Sequence, residues 1–373
     1  MIIPICSGIL LGLSLIFDGY MENIFIITTT IIIYYYITNY KKQYKEIFIG
    51  LIISYFLVNI FSIIVLKDNI NQNIVDYDEE VSIKKEIAVV LLYDGEDRNY
   101  DLSERANEIY FEQGYKSYGN MVYNLNKFKR YYENLGSSDF KDTANEIAIN
   151  LKEKLGKDYK VINSYLYTTP YFENVIKNII NQGYKEIVIC PMFITQGKDF
   201  EVFNERLQKM QLSKLGVHIE LTDLFYKSDN LAKSYKNEIV GSAKNEDTDI
   251  GVLLIGLEDE NNLEQDIIFR EKIKYYIEKE KSTKIQIKLP LLENNKNDII
   301  KSGEQLLEFG IDILHVVIPT CTIDNMYNKN LVESILQELD GPEIKFHYIY
   351  PKDKVKILVE EIYTQISLIK NRR

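Results

Sequence analysis

Apolar runs that alternate with amphipathic helical segments constrain the fold of this chain more than any other feature. Within Tyr165–Phe203 the pattern predicts a strand, a helix, a glycine turn and a second, buried strand that ends in Pro191-Met192-Phe193. A fainter segment of the same kind, Ile299–Asp324, contains a helix and a strand that ends at Pro319. Such units imply parallel strands whose carboxyl ends form the binding edge of a sheet. We therefore expect two similar halves that face one cleft.

The same alternation extends from Ile83 to the end of the chain. Near-continuous apolar runs such as Ile87–Tyr93 and Ile250–Gly256 are typical of strands in a parallel sheet that helices cover on both faces. The predicted fold class is α/β, with two similar Rossmann-like lobes that each hold a parallel sheet. We place the first lobe at residues 84–246 and the second at residues 247–373.

The first 66 residues have a different composition, with very few charges. They contain three apolar runs, Ile2–Phe17, Ile24–Thr38 and Ile47–Leu66. The third run is long enough to cross a bilayer, which takes about 20 residues, whereas the first two are shorter. We predict three transmembrane helices in residues 1–66, with two helices as the alternative, followed by an acidic linker at residues 67–83.

The charges between these runs predict an orientation. The loop Lys41–Lys45 is basic and is expected on the cytoplasmic side, whereas the loop Asp18–Glu22 is acidic. One further span after Lys45 would place the large domain on the outer face of the cell membrane. The chain is thus predicted to be a multi-pass membrane protein.

The charged residues and cysteines exclude several classes of protein. The formal net charge of -11 disfavours a nucleic-acid partner, because phosphate binding needs clustered Lys and Arg. The 3 cysteines form neither a disulfide framework nor a zinc-binding spacing. We expect no tightly bound cofactor and assign no metal ligands.

Four segments follow one another in an order that is informative as a whole: VVLLYDGE, RYYENLGSSDF, the stretch from Tyr165 to Phe193, and PTCTIDNMYN. In this order they resemble the ferrochelatase family of class II tetrapyrrole chelatases, and the resemblance covers nearly all of the chain after Lys85. The segment PMFITQGKDF is also similar to the cobaltochelatases of the same superfamily.

This resemblance implies a function and a set of binding residues. A tetrapyrrole, protoporphyrin or coproporphyrin, would bind in the cleft between the lobes, and insertion of the divalent metal Fe2+ as a substrate would serve haem biosynthesis. The positions that match tetrapyrrole-binding segments of the family are Tyr93, Ser138, Phe193 and Asp324.

The catalytic positions depart from the family pattern. Met192 stands where the family has a proton-accepting histidine, and the other cleft histidine of the family falls at Leu257. The catalytic carboxylate falls near Glu293, with Gln286 as the alternative match. A thioether cannot accept a proton near neutral pH, although it can ligate soft metals or haem iron, or simply fill apolar space.

Besides a structural relic that serves as an interaction module, two functions are open on the sequence alone. The first is an enzyme that inserts Fe2+ into a tetrapyrrole. The alternative is a catalytically inactive, membrane-bound protein that binds a tetrapyrrole or a metal, because Met192 replaces the histidine of the metal site.

Overall fold

The chain forms two compact units in the computed structural model, which describes residues 2–39, 44–66, 83–242, 248–257, 263–280, 284–292, 296–339, 344–351 and 353–372. The first unit contains the N-terminal helices together with Asp97–Ser138, and the second contains the remaining described residues. The predicted basic loop at Lys41 and the acidic linker lie outside the described residues.

The α-helices are α1 Ile2–Ile16, α2 Gly19–Asn39, α3 Tyr44–Leu66, α4 Leu102–Gln113, α5 Ser117–Leu135, α6 Phe140–Leu155, α7 Phe172–Asn181, α8 Lys198–Lys209, α9 Asp229–Gly241, α10 Leu263–Glu278, α11 Asn297–Glu308, α12 Met326–Glu338 and α13 Lys354–Asn371. The strands are β1 Ile87–Tyr93, β2 Tyr159–Tyr165, β3 Glu186–Pro191, β4 His218–Leu221, β5 Ile250–Leu254, β6 Gly256–Leu257, β7 Ile285–Lys288, β8 Leu291–Leu292, β9 Ile313–Val317 and β10 Lys345–Tyr348.

The second unit has the predicted α/β architecture. Its first sheet has the strand order β2-β1-β3-β4 and its second sheet the order β10-β9-β5-β7, and all pairings in both are parallel. A separate short parallel pair is formed by β6, which follows β5 in the chain, and β8, which follows β7. The prediction of two similar parallel-sheet lobes is confirmed.

One hydrophobic core extends through both lobes of this unit. It contains Val89 and Val188 from the first sheet, Val252 from the second sheet, and Leu358 from α13. The residues of β1 from Ala88 to Tyr93 are all fully buried, which explains why the strand reads as a continuous apolar run. The carboxyl ends of the two sheets are therefore fixed relative to each other by shared packing.

Two buried arginines hold the turns that follow strands. Arg206 of α8 forms a two-pronged ion pair with Glu173, with N–O distances of 2.7 and 2.6 Å, and donates to the carbonyl of Leu166. Arg270 of α10 pairs with Asp266 and donates to the carbonyls of Leu254 and Leu289. In each lobe a guanidinium thus satisfies carbonyls that follow a strand.

The first unit is built on α1 and α3, which run in the same direction. Pro4 lies against Gly50, and Gly8 lies against Ser54. A Cβ on Gly8 would come within 2.5 Å of Ser54 Oγ, so a glycine is needed for this close approach. All three apolar runs are helical, as predicted.

Length and composition single out two helices as candidate membrane spans, Gly19–Asn39 and Lys45–Leu66, whereas Ile2–Ile16 is shorter. A signal sequence or a buried core helix meets the same criteria. Membrane crossing by residues 1–66 accordingly stays a prediction, and α5, which the sequence pattern did not predict, joins these helices in the same unit.

Removing the buried charge of Glu173 tests how much its ion pair with Arg206 stabilises the first lobe. Glu173→Gln leaves the guanidinium of Arg206 uncompensated, so the free energy of unfolding should fall by about 3–5 kcal/mol. Denaturant unfolding of the full chain in detergent measures this loss. The matched control is Glu205→Gln, because Glu205 pairs with Lys209 on the surface and should contribute at most about 1 kcal/mol. Equal losses of unfolding free energy in the two variants would show that the buried pair stabilises the protein no more than the surface pair does.

Candidate functional site

The loops that follow β3 and β9 are hydrogen-bonded to each other at the carboxyl ends of the two sheets. The hydroxyl of Thr322 donates to the carbonyl of Met192 at 2.6 Å, and Phe193 forms an antiparallel bridge with Cys321. The two loops therefore meet directly. We call Tyr93, Met192, Cys321, Asp324 and Lys354 the strand-end layer, because all of them lie at or beside this junction.

Met192, the residue at the expected histidine position, is packed into the core. Only 2% of it is exposed, and its amide donates to the carbonyl of Leu92 at 2.7 Å. Its side chain belongs to the buried cluster that includes Tyr93 and Ile323. The thioether thus fills apolar space at the strand end, which is the plainer of the two sequence-based interpretations.

A second connection between the lobes involves the turn after β1. Both carboxylate oxygens of Glu96 accept from the amide of Met326, at 3.0 and 3.2 Å, where α12 begins. A carboxylate at this place satisfies an amide that has no partner within the helix and interacts favourably with the helix dipole. The turn itself requires Gly95, whose φ is +99° and where a Cβ would come within 2.6 Å of Thr168 Cγ2 and 2.8 Å of Tyr165 Cβ.

Lys354 is an almost fully buried cation at the centre of the strand-end layer. Its Nζ donates to the carbonyl of Cys321 at 2.7 Å and to the hydroxyl of Tyr235 at 2.8 Å. It also lies 4.3 Å from the ring centroid of Tyr350. Burial lowers the pKa of Lys354, while Cys321 and Asp324 oppose that shift. The amine therefore fixes the loop after β9 through its carbonyl.

Asp324 is the carboxylate of the layer. It is 8% exposed and accepts from the hydroxyl of Tyr348 at 2.7 Å. Burial raises the pKa of Asp324 above its ordinary value, although the Tyr348 hydroxyl, Lys329 and Lys354 lower it. A carboxyl group with a raised pKa is suited to accept and release a proton nearer to neutral pH.

Several buried polar atoms around the junction have no hydrogen-bond partner among the described residues. They are the hydroxyl of Tyr93, the hydroxyl of Thr320 and the side-chain oxygen of Asn328. Asn328 is tied to the junction by its amide nitrogen, which lies 3.1 Å from the sulfur of Cys321. Because buried polar groups almost always have hydrogen-bond partners, these unpartnered atoms favour the binding of a polar ligand at the junction.

The two thiols of the junction are protonated. Burial raises the pKa of Cys190 to about 12 and that of Cys321 to about 12. Thiols with such pKa values are poor nucleophiles and poor metal ligands. Among the described residues, no group of three or more His, Cys, Asp or Glu side chains is arranged to hold a metal ion.

The remaining predicted site residues are Ser138, Glu293 and its alternative Gln286. Ser138 lies in the first unit, where its amide donates to the carbonyl of Arg98. Glu293 lies outside the described residues, and its alternative, Gln286, is an exposed residue of β7. The roles of Ser138, Glu293 and Gln286 therefore stay predictions.

Sequence reasoning missed Lys354, Tyr348 and Tyr350, which surround Asp324. Lys354 begins a helix, where a lysine is usually solvated, and no sequence pattern marks it as buried. Tyr348 is the last residue of β10, and Tyr350 follows it in the chain. The side chains of both contact the loop after β9, where the hydroxyl of Tyr350 donates to the carbonyl of Thr322 at 3.2 Å. Their positions at a strand end were the one available signal.

A pocket of about 560 Å³ lies next to these tyrosines, between the end of α9 and the end of β10. Tyr348 and Tyr350 line it together with Ser242 and His347. Ser242 also contacts the fully buried His315, whose pKa burial lowers to about 4. The tyrosines form a wall that the pocket shares with the strand-end layer.

Comparisons with known proteins agree with this architecture. The CbiX family model matches residues 136–240. The ferrochelatase of Aquifex aeolicus (strain VF5) is 27% identical over 125 residues, which are 32% of this chain and 40% of that protein. The ferrochelatase of Sulfurihydrogenibium sp. (strain YO3AOP1) is 32% identical over 89 residues, 22% of this chain and 27% of that protein. The chain thus matches less than half of the length of these curated relatives.

The solved structure of SirB from Bacillus subtilis with Fe3+ superposes with a TM-score of 0.52 at 12% identity, over 76% of this chain and 94% of that chain. The two parallel-sheet lobes therefore have a fold similar to that of this solved structure. The CbiX match and the ferrochelatase matches each cover less than a third of the chain, and over that part the chain is similar to these proteins.

Substitutions of Met192 distinguish packing from a specific role of its sulfur. Met192→Leu conserves volume and should lower the free energy of unfolding by less than about 1.5 kcal/mol. Met192→Ala creates a cavity and should cost about 2–5 kcal/mol. Thermal unfolding of both variants measures the difference. A loss for Met192→Leu as large as that for Met192→Ala would show that the sulfur makes a contact that packing does not explain.

The raised pKa of Asp324 predicts a pH dependence of stability. The folded state binds the proton of the Asp324 carboxyl more tightly than the unfolded state does. The resulting contribution to the free energy of unfolding is therefore fully present below the ordinary pKa of 3.8 and is lost as pH rises through the raised pKa. Asp324→Asn removes the titration and should gain stability relative to the natural chain as pH rises from about 4 to about 7. Unfolding midpoints of both proteins over this range test the sign, and a constant difference would contradict it.

Proposed function

We propose that this chain binds a tetrapyrrole at the strand-end layer and inserts a divalent metal ion, with Fe2+ as the first candidate. The observation that carries the proposal is the junction of the β3 and β9 loops, which brings Asp324 and orphaned polar atoms to the carboxyl ends of both sheets. In parallel α/β folds this edge is where ligands bind. The similarity of part of the chain to the CbiX family and to a ferrochelatase supports the same class of ligand.

Metal insertion requires a group that accepts protons. As the divalent ion enters the macrocycle, two pyrrole N–H protons leave, and the charge of the ion replaces theirs. Asp324 is the described carboxylate of the layer, and its raised pKa fits the task of taking a proton and passing it to solvent. In this proposal Asp324 supplies the proton chemistry that Met192 cannot.

The ligand and the carboxylate would be held in place by Tyr93 and Lys354 of the layer and by two residues beside it, Phe193 and Tyr348. Tyr93 and Phe193 contribute aromatic surface, which suits a flat apolar macrocycle. The hydroxyl of Tyr348 and the amine of Lys354 keep Asp324 and the β9 loop in position. They are positioning residues in this scheme, since neither is proposed to react.

A non-catalytic tetrapyrrole-binding protein is the second candidate function. The packing of Met192 favours it, because a buried thioether takes the place of the histidine and His315 lies in the middle of β9 rather than at its end. Such a protein would retain the binding edge and would lack a measurable rate of metal insertion. It would bind protoporphyrin or coproporphyrin without changing it chemically.

We further propose that the N-terminal helices hold the chain in the cell membrane, with the α/β unit on the outer face. The two long apolar helices support membrane association, and the charges of the loops support the orientation. A thiol introduced as Asn69→Cys should react with an impermeant reagent from the outside; reaction only after the membrane is opened would reverse the orientation.

The proposed activity is tested with the full chain in detergent. Protoporphyrin or coproporphyrin is added with Fe2+ under anaerobic conditions, or with Zn2+, and metalloporphyrin is followed by absorbance. Formation well above the protein-free rate is expected. Binding of porphyrin without any rate enhancement would favour the second candidate, and unchanged porphyrin fluorescence in the presence of the protein would refute both.

Asp324→Asn separates catalysis from binding. Removing a proton-accepting carboxylate should lower the insertion rate by about a hundredfold or more, while porphyrin affinity, measured by fluorescence titration, changes little. Asp298→Asn is the matched control, because Asp298 is an exposed acid in the first turn of α11. An unchanged rate in Asp324→Asn would remove this residue from the mechanism.

A further inference from the structure

The helices α4 and α5 form a hairpin that packs on the apolar N-terminal helices within the first unit. Their buried contact surface brings together Val58 and Ile63 of α3 with Ile109 of α4 and Val122 and Leu125 of α5. The contact is an extended apolar interface, and it recruits residues from a part of the chain that follows the first strand of the α/β unit.

Polar side chains fix the hairpin along α3. The side-chain oxygen of Asn59 accepts from the backbone amide of Val122 at 3.0 Å, and both atoms are buried. The hydroxyl of Tyr55 donates to the carbonyl of Gly119 at 2.9 Å. At the other end, the hydroxyl of Ser103 donates to the carbonyl of Leu66. The hairpin therefore follows α3 from Leu66 back to Tyr55.

The depth of the hairpin can be read from α3. At 1.5 Å per residue, Tyr55 lies roughly 16 Å from Leu66 along the helix axis. A bilayer has a hydrocarbon layer about 30 Å thick. If α3 crosses that layer, the hairpin runs beside it for about half of the thickness.

A buried cation marks the end of the hairpin that faces water. Lys129 of α5 has 4% of its side chain exposed, pairs with Glu22 at 2.8 Å and donates to the carbonyl of Ser14. Ser14 and Glu22 flank the turn between α1 and α2, so this level corresponds to an end of the apolar helices. Val122 and Gly119 precede Lys129 in α5 and lie deeper.

The tip of the hairpin presents tyrosines on its free surface. Tyr115 is 92% exposed, Tyr123 is 64% exposed, and Tyr118 is also exposed. The ring of a tyrosine supplies a large apolar surface, so these side chains offer aromatic contact area to acyl chains. The neighbouring surfaces of α2 and α3 are exposed and apolar over most of their length, as at Ile31 and Phe56.

We propose that the α4–α5 hairpin is a lipid-binding element that enters the bilayer beside α3, with Tyr115, Tyr118 and Tyr123 in contact with lipid. The occupant of this surface is phospholipid, because the hairpin packs along α3, whose own exposed surface is apolar. The chain would then contact the membrane through two separate segments, residues 2–66 and residues 97–138. This proposal rests on the proposed membrane anchoring by the N-terminal helices and is independent of whether the protein inserts a metal.

The absence of tryptophan from the chain allows a direct test, since Trp is 0 in the sequence. Single tryptophans are introduced as Tyr115→Trp and, separately, Tyr123→Trp, and each full-length protein is reconstituted into phosphatidylcholine vesicles with brominated acyl chains. Phe56→Trp on the exposed face of α3 is the positive control. Tyr275→Trp, at an exposed tyrosine of α10 in the second unit, is the matched negative control.

Bromolipid should quench Tyr115→Trp, Tyr123→Trp and Phe56→Trp, with emission shifted to shorter wavelength, whereas aqueous iodide quenches Tyr275→Trp alone. Quenching of Phe56→Trp without either hairpin variant would place the hairpin outside the bilayer and overturn the proposal. Quenching of no variant by bromolipid would overturn it as well, since α3 would not lie in lipid. If bromolipid quenched Tyr275→Trp equally, the quenching would reflect non-specific adsorption of the protein to the vesicles. That result would also contradict the proposal.

Discussion

The hydrogen bond from Thr322 to the carbonyl of Met192 joins the two lobes at their functional edge, and the candidate site depends on it. Together with the bridge between Phe193 and Cys321, it brings one loop from each sheet into contact. Lys354 then anchors the β9 loop from behind through the carbonyl of Cys321. This junction adds to the shared core and to the contact between Glu96 and Met326 in fixing the loops of the two lobes to each other.

The replacement of a histidine by a methionine has a clear structural consequence. Met192 is packed and contributes volume, so the proposed function assigns the proton chemistry to Asp324. Burial is the cause of the raised pKa of Asp324, and the hydroxyl of Tyr348 and two lysines oppose that shift. The chain therefore retains a titratable group at the strand ends although the expected imidazole is missing.

Much of the α/β unit could be predicted from the sequence, because its strands are continuous apolar runs and its helices are amphipathic. Ile87–Tyr93 is buried along almost its whole length, and the strand that ends at Pro191 contains Cys190, which has no exposed surface. The periodicity of the chain therefore led directly to two parallel sheets. The place of Met192 at a strand end followed from the same pattern.

The parts that could not be predicted depend on contacts between distant residues. The helix α5 contains glycine, asparagine and many tyrosines, and its amide at Val122 is satisfied by Asn59, which is far away in the sequence. Lys354 likewise needs the carbonyl of Cys321 and the ring of Tyr350 to be tolerated inside the protein. Local propensity carries no information about such partners.

Hydrogen exchange with and without coproporphyrin tests most directly whether the loop junction is the binding site. Binding at the strand-end layer should slow exchange in peptides that contain Met192 and in peptides that contain Thr322 together, since one ligand would cover both loops. The segment Asn237–Gly241, which lines the separate pocket of α9 and β10, should exchange unchanged. Protection confined to the α9 and β10 peptides would contradict the account.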